Sequence, residues 1–545
     1  MKRQDFMGTG WVLGLIAASM LMWLLLGFGN VYWSDLNQDE GWYLHAADRI
    51  VDGQIPYRDF AFTQGPVMPY IYSLFRPGLA DTGLVGMRWL TLFLFLPTIW
   101  LAAATTFRAA SGVWRIPASL CCLMLVAINA YHSQYTSTVK TYSICLLLLT
   151  GGIALMARAN SAHHTWSAIG AGFLMGAAAC ARLSAGFFLA GVCMYALLHP
   201  ALRPRRIWFY MGLGGVVALA TILLPLYWIA PDQFLFCLFE YHTGRNPGSL
   251  AAALVYKAGF LSRFVGDYLI LAILGAAWLL LLVFCPRPRQ TQVPRNQPLP
   301  GMLLCGALMM TVVHAMAPFP YDDYQVITIP AFAIAVSLGL AHVFNSLSVG
   351  SQSDTHLAAA SSWARVFVLT IFLACSAAAW SSPVNQNWVV RERDRIWWRL
   401  KGQSPVLHLQ EAAATLRQHV PVGSEVLTQD LYLAVEAGLR VPHGLEMGPF
   451  SYYPAMASDR AKSLGVLNQE LLLDLLHRTE APAAALSGYS FTIESPGVTE
   501  LDPAQTEMFL AALYERYEPI ESIPHFGQGF TTLQLLAKKA PRDSR

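Results

Sequence analysis

The stretch Asn37-Gln38-Asp39-Glu40-Gly41-Trp42-Tyr43 follows the first apolar run of the chain, residues 11–28. An acidic pair opens an aromatic, helix-like segment, and the chain then stays polar and proline-rich as far as Pro69. Gly53 is a stop signal, so residues 39–52 read as an amphipathic helix with Trp42, Ala46 and Ile50 on one face. Such a helix is expected to lie along a membrane surface. A carboxylate pair beside an apolar span is costly unless it is solvated or paired. Asp39 and Glu40 are therefore the first candidates for chemistry. A plainer use also fits the position: Asp39 as helix N-cap and Glu40 in the first turn, with no catalysis.

Further apolar runs fall near residues 84–107, 115–131, 140–157, 165–181, 183–199, 207–230, 267–285, 300–317, 324–345 and 364–381. With the first, they make about eleven spans of bilayer length. The least secure is 165–199, where two short helices compete with one span and a re-entrant piece. Of the 545 residues 55% are hydrophobic and only 13% charged. This is a polytopic α-helical membrane protein by composition. A net charge of +3 without a basic tract gives no footing for nucleic acid. Nine cysteines without a C-x-x-C spacing read as small apolar residues.

Arg108, Arg115, Arg158, Arg203, Arg205 and Arg206 fall in loops on the side of Lys2 and Arg3. The positive-inside bias then puts the N-terminus in the cytoplasm. The first helix is expected to stay uncleaved. An odd number of spans places the long loop 31–83 and everything after about residue 385 outside, the periplasm of a bacterium. The division expected is 1–384 for the membrane part and 385–545 for a soluble α/β domain. Its helices are expected at 406–420, 431–439, 469–477 and 503–514, and its strands at 424–427, 483–487 and 531–536.

Several other residues stand out. Lys140 and Arg182 fall on the outer side against the charge bias, where each is either an anion ligand or a snorkelling helix-end cation. Glu240, His242 and Arg245 form a polar cluster, or simply a solvated loop. Tyr321-Asp322-Asp323-Tyr324-Gln325 precedes a late span and could hold a cation or a sugar. His314, within an apolar run, fits a packing role. Metal-ligand spacings of the zinc kind are missing, so a divalent cation such as Mg or Mn would have to be held by carboxylates such as Asp39 or Asp322.

Four features together resemble the GT-C superfamily of polyprenyl-phosphate-dependent glycosyltransferases, most closely the branch of protein O-mannosyltransferases and the aminoarabinose transferase of lipid A. They are Asp39-Glu40-x-x-Tyr43 in a long first outer loop, Gln64-Gly65-Pro66 with Pro69-Tyr70, Tyr324-Gln325 with Pro330 at the start of a span, and a late outer domain. The resemblance covers residues 10 to 385. It implies a GT-C fold, a lipid-phosphate-linked sugar donor, and an acceptor that is protein, lipid or polysaccharide. It also implies that Asp39, with Glu40 beside it, is catalytic as general base. Gln64 stands where some relatives carry a phosphate-binding Lys, so Lys140, Arg182 and Arg245 are the candidates for the donor phosphate. Tyr43, Gln64, His242, Tyr324 and Gln325 are expected to line the cavity. A secondary transporter and a non-catalytic component of envelope polysaccharide assembly are the alternatives from other classes.

Overall fold

The computed structural model describes residues 8–162, 164–244, 249–284, 298–348, 354–381 and 402–540. The expected boundary at 385 and Arg245 lie outside the described residues. Helix α1 (Thr9–Trp33) carries no charge and forms the first span. Among the described residues seven helices are long and apolar enough to cross a membrane, or up to nine if each of two bent pairs is one span. The pairs bend by 62° after Ala127 and by 92° after Asp267. This is a multi-pass membrane protein, and among the described residues the eleven apolar runs appear as seven long helices, two bent pairs and two shorter apolar helices. Thr165–Ala181 and Leu183–Leu198 fall short of that length. The chain breaks between them because Arg182 turns to an extended conformation, φ −150° and ψ 112°.

Helix α2 (Gln38–Val51) is set by its first turn. The Asn37 side chain accepts a hydrogen bond from the Asp39 amide, and the Glu40 carboxylate accepts one from the Asn37 amide, which makes a capping box. The cap is thus Asn37 and not Asp39. The expectation of a surface-lying helix is corrected too: every residue from Glu40 to Ala47 is buried. One face meets the Val67–Ser73 helix, and another meets the Leu431–Ala437 helix of the C-terminal region. The apolar period was legible, but the opposite face is also covered, by polar groups that find partners there.

The C-terminal region is a small α/β domain. Its strands are β1 (Val426–Thr428), β2 (Ala483–Leu486), β3 (Ile493–Glu494), β4 (Thr499–Glu500), β5 (Tyr517–Phe526) and β6 (Thr531–Lys538). The main sheet has the order β1-β2-β6-β5, with β1 and β2 parallel and the other pairs antiparallel. Helices Pro405–His419, Leu431–Ala437, Gln469–Arg478 and Pro503–Arg516 fall where the pattern puts them. Strand β5 is the one long element the pattern misses. It holds Pro519 and Pro524, which only an edge strand tolerates, and its register shifts twice. Among the described residues a large cluster of buried apolar side chains runs from the helix bundle into this domain, with a small separate one around Trp114.

Candidate active site

Four chain breaks meet at one end of the bundle. They are the start of α2, residues 138–141 before the Tyr142–Ala162 helix, Arg182, and the short 3-10 helix Asp322–Thr328. At their junction the Lys140 ammonium lies 3.1 Å from Asp39 Oδ2 and 3.1 Å from Asp323 Oδ2. Tyr142 donates its hydroxyl to the same Asp323 oxygen at 2.7 Å. Burial disfavours the charged Lys140, but Asp323 and then Asp39 outweigh it and hold the ammonium above its ordinary range. The Asp39 side chain is 27% exposed, against 9% for Lys140 and 9% for Asp323. Asp39 is therefore the most exposed member of the trio. The Arg182 guanidinium sits between two rings, 4.9 Å from the centre of Tyr142 and 4.6 Å from that of Tyr324. Among the described residues no carboxylate pairs with it. A cation held by aromatic faces keeps its N–H donors for an anion.

Glu40, the chain neighbour of Asp39, has a different environment. It is fully buried and paired with Arg88, also fully buried, at 2.6 Å. Arg88 Nε donates to Oε1 at 2.8 Å, and the Val139 amide donates to the same oxygen at 3.1 Å. Arg88 also donates to the carbonyls of Val31, Ser34 and Asp35 at the end of α1. One carboxylate thus ties together the segment bearing Asp39 and the residue before Lys140.

Gln64-Gly65-Pro66 lies against the end of the Thr165–Ala181 helix. A Cβ on Gly65 would stand 2.0 Å from the Cys180 carbonyl oxygen, so only glycine permits this approach beside Arg182. No protein-family model and no curated protein matches the sequence. Solved structures do. ArnT from Cupriavidus metallidurans bound to undecaprenyl phosphate superposes with a TM-score of 0.61 at 13% identity, over 97% of this chain and 98% of that one. Its apo state gives a TM-score of 0.59 over the same shares. The apo oligosaccharyltransferase of Archaeoglobus fulgidus gives 0.52 at 11% identity, over 88% of this chain and 70% of that one.

The chain has the GT-C fold.

Within this GT-C bundle the remaining expected residues take distinct places. Tyr43 is buried, its phenol held well above the ordinary range by burial first and then by the Asp39 charge, so it keeps its proton. Tyr324 stacks on Arg182. Gln325 is fully buried behind it. Its Nε2 lies 3.3 Å from His314 Nδ1, and its Oε1 accepts from Thr311 at 3.0 Å. His314 Nε2 in turn lies 2.9 Å from the hydroxyl of Ser184, two residues from Arg182. This network braces the Arg182 turn. His242 Nε2 donates to the Thr63 carbonyl at 2.9 Å, and the Gln64 carbonyl accepts from Tyr57 at 2.7 Å, so both secure the loop after α2. Glu240 pairs with Arg460.

Sequence reasoning passed over Arg88, Tyr142 and the role of Asp323. Arg88 had a signal: a lone ionisable residue inside an apolar run is a functional pointer with a buried partner. Asp323 stood in a run singled out for a cation or a sugar, but its partners Lys140 and Tyr142 were not readable, because they lie 183 and 181 positions away. Among the described residues no group of three or more His, Cys, Asp or Glu is disposed to hold a metal. The two site carboxylates are bridged by an ammonium rather than open to a cation. Asp322, the other suggested cation ligand, is gripped by Arg263 Nε at 2.6 and 2.7 Å.

Proposed function

We propose that this chain is an integral membrane glycosyltransferase. It moves a sugar from a polyprenyl-phosphate carrier to an acceptor hydroxyl at the outer face of the membrane, with inversion at the anomeric carbon. The observation that carries this reading is the Asp39–Lys140–Asp323 chain at one end of a GT-C bundle, with Arg182 beside it, which no carboxylate pairs among the described residues. Undecaprenyl phosphate is the ligand of the similar ArnT structure.

Asp39 takes the acceptor's proton as its oxygen attacks the anomeric carbon. General-base help of this kind contributes about 10²–10⁴-fold. Lys140 directs the carboxylate, and Asp323 and Tyr142 direct Lys140. The leaving group is a phosphate, whose growing charge Arg182 and Lys140 meet. One displacement needs one base and no carboxylate nucleophile. Glu40 is a positioning residue in this scheme. The C-terminal α/β domain, from about residue 385, lies on the outer side, and the membrane is the plasma (inner) membrane.

The test compares membranes from cells carrying the wild type or Asp39→Asn, with polyprenyl-phosphate sugars followed by mass spectrometry. A lipid that accumulates only in the variant, at equal protein level, identifies the donor and supports Asp39 as base. Matching lipid profiles with full complementation would sink the transferase reading, and the assembly-component alternative would take its place.

A further inference from the structure

The first turn of α2 is completed by the C-terminal domain. A helix leaves its first amides without partners inside the helix. The Asp39 amide is capped by Asn37, but the Gln38 amide donates to Gln528 Oε1 at 2.8 Å, across 490 residues of sequence. The Gln38 side chain, only 4% exposed, donates from Nε2 to Asp430 Oδ1 at 3.0 Å and to the Tyr432 hydroxyl at 3.3 Å. Tyr432 donates to the same Asp430 oxygen at 2.9 Å, and both residues are buried. Asp430 follows the end of β1, so the sheet fixes its place.

The backbones also touch. A Cβ on Gly41 would stand 2.0 Å from the Tyr432 backbone nitrogen and 2.5 Å from the Leu431 carbonyl carbon. No other residue allows the Leu431–Ala437 helix to sit this close. The domain thus grips the residue before Asp39 by its amide and side chain, and grips α2 again two residues after Asp39. Asp39 itself points the other way, to Lys140, which the bundle holds.

We propose that the C-terminal domain positions the base. Asp430, Tyr432 and Gln528 hold Gln38, and through it set the distance from Asp39 to Lys140 and the donor phosphate. This rests on the proposed role of Asp39. Displacing a catalytic group by about 1 Å costs on the order of 100-fold in rate, so a grip at the neighbouring residue has ample leverage.

The experiment uses the full chain in proteoliposomes, with two readouts. One is turnover of the donor lipid recovered from Asp39→Asn cells. The other is binding of undecaprenyl phosphate alone, which needs Lys140 and Arg182 but not the base. Asp430→Ala is expected to lower kcat about 10- to 100-fold with KM and undecaprenyl phosphate affinity unchanged. Asp430→Asn, which still accepts from Gln38 and Tyr432, is expected to keep most of the rate. Wild-type kcat in Asp430→Ala would overturn the inference while leaving the role of Asp39 standing. So would a parallel loss of undecaprenyl phosphate binding, which marks general damage. Full activity of Asp39→Asn would instead overturn the role of Asp39 itself, and the inference with it. Should Asp430→Ala fail to fold, Gln528→Ala, which removes a single bond to the Gln38 amide, decides by the same two readouts.

Discussion

Asp39 and Glu40 are adjacent carboxylates on one helix, yet their surroundings differ in almost every respect. Glu40 is sealed, bonded on both oxygens, and matched by one guanidinium. Asp39 is partly open, and shares an ammonium with a second carboxylate. Environment rather than residue type sets the two carboxylates apart, as the proposed roles require. A closed pair holds geometry, because separating it strands a buried charge. An open, shared carboxylate has room for a substrate proton.

The sharpest way to break this contrast is to neutralise each carboxylate by itself. Asp39→Asn is expected to lower sugar transfer about 10²–10⁴-fold with the thermal midpoint of the purified protein unchanged, read by donor turnover and by melting in detergent. Equal losses of both would erase the distinction. Arg88→Met should do the opposite. Stranding Glu40 is expected to cost about 3–5 kcal/mol of stability, seen as a lower midpoint and less folded protein in membranes. Adding Glu40→Met to it should restore much of that stability, since an apolar pair replaces a stranded charge.

A pH titration sharpens the contrast from the side of α2. Burial, opposed by Glu446 and assisted by Arg49, lowers the His45 pKa from 6.5 to about 4. Below pH 6.5 the unfolded chain binds a proton there that the folded chain refuses, so stability present above that pH is lost as pH falls towards 4. The loss attributable to His45 is about 3 kcal/mol by pH 4. Melting curves should show a shallower acid limb in His45→Gln than in the wild type. The smallest effect is at the cap. Asn37→Ala should cost about 1 kcal/mol, and its rate loss should be small, because Arg88 and Gln528 still hold the turn.

Legibility in the sequence followed the range of the interaction. The apolar runs announced a membrane protein because each span's character lies in its own residues. The short 165–199 region was legible as doubtful for the same reason, with Arg182 interrupting it. The helices of the C-terminal domain were read nearly in place from their apolar pattern, and in the structure Ser404 and Asn468 cap two of them. Strand β5 was not, since its two prolines forbid a central strand and only its pairing with β6 makes an edge strand of it.

The acidic pair and the two cations were visible as misplaced charges, and the spans around them as grease. That much rests on local chemistry: desolvating a charge is costly wherever it sits, so an unusual charge is already a signal. Which carboxylate meets which cation was beyond such reasoning. Glu40 with Arg88, Asp39 with Lys140 and Asp323, and Gln38 with Asp430 join residues 48 to 392 positions apart. Ion pairing acts over a few ångströms, and only the packing of distant helices brings such partners within that range.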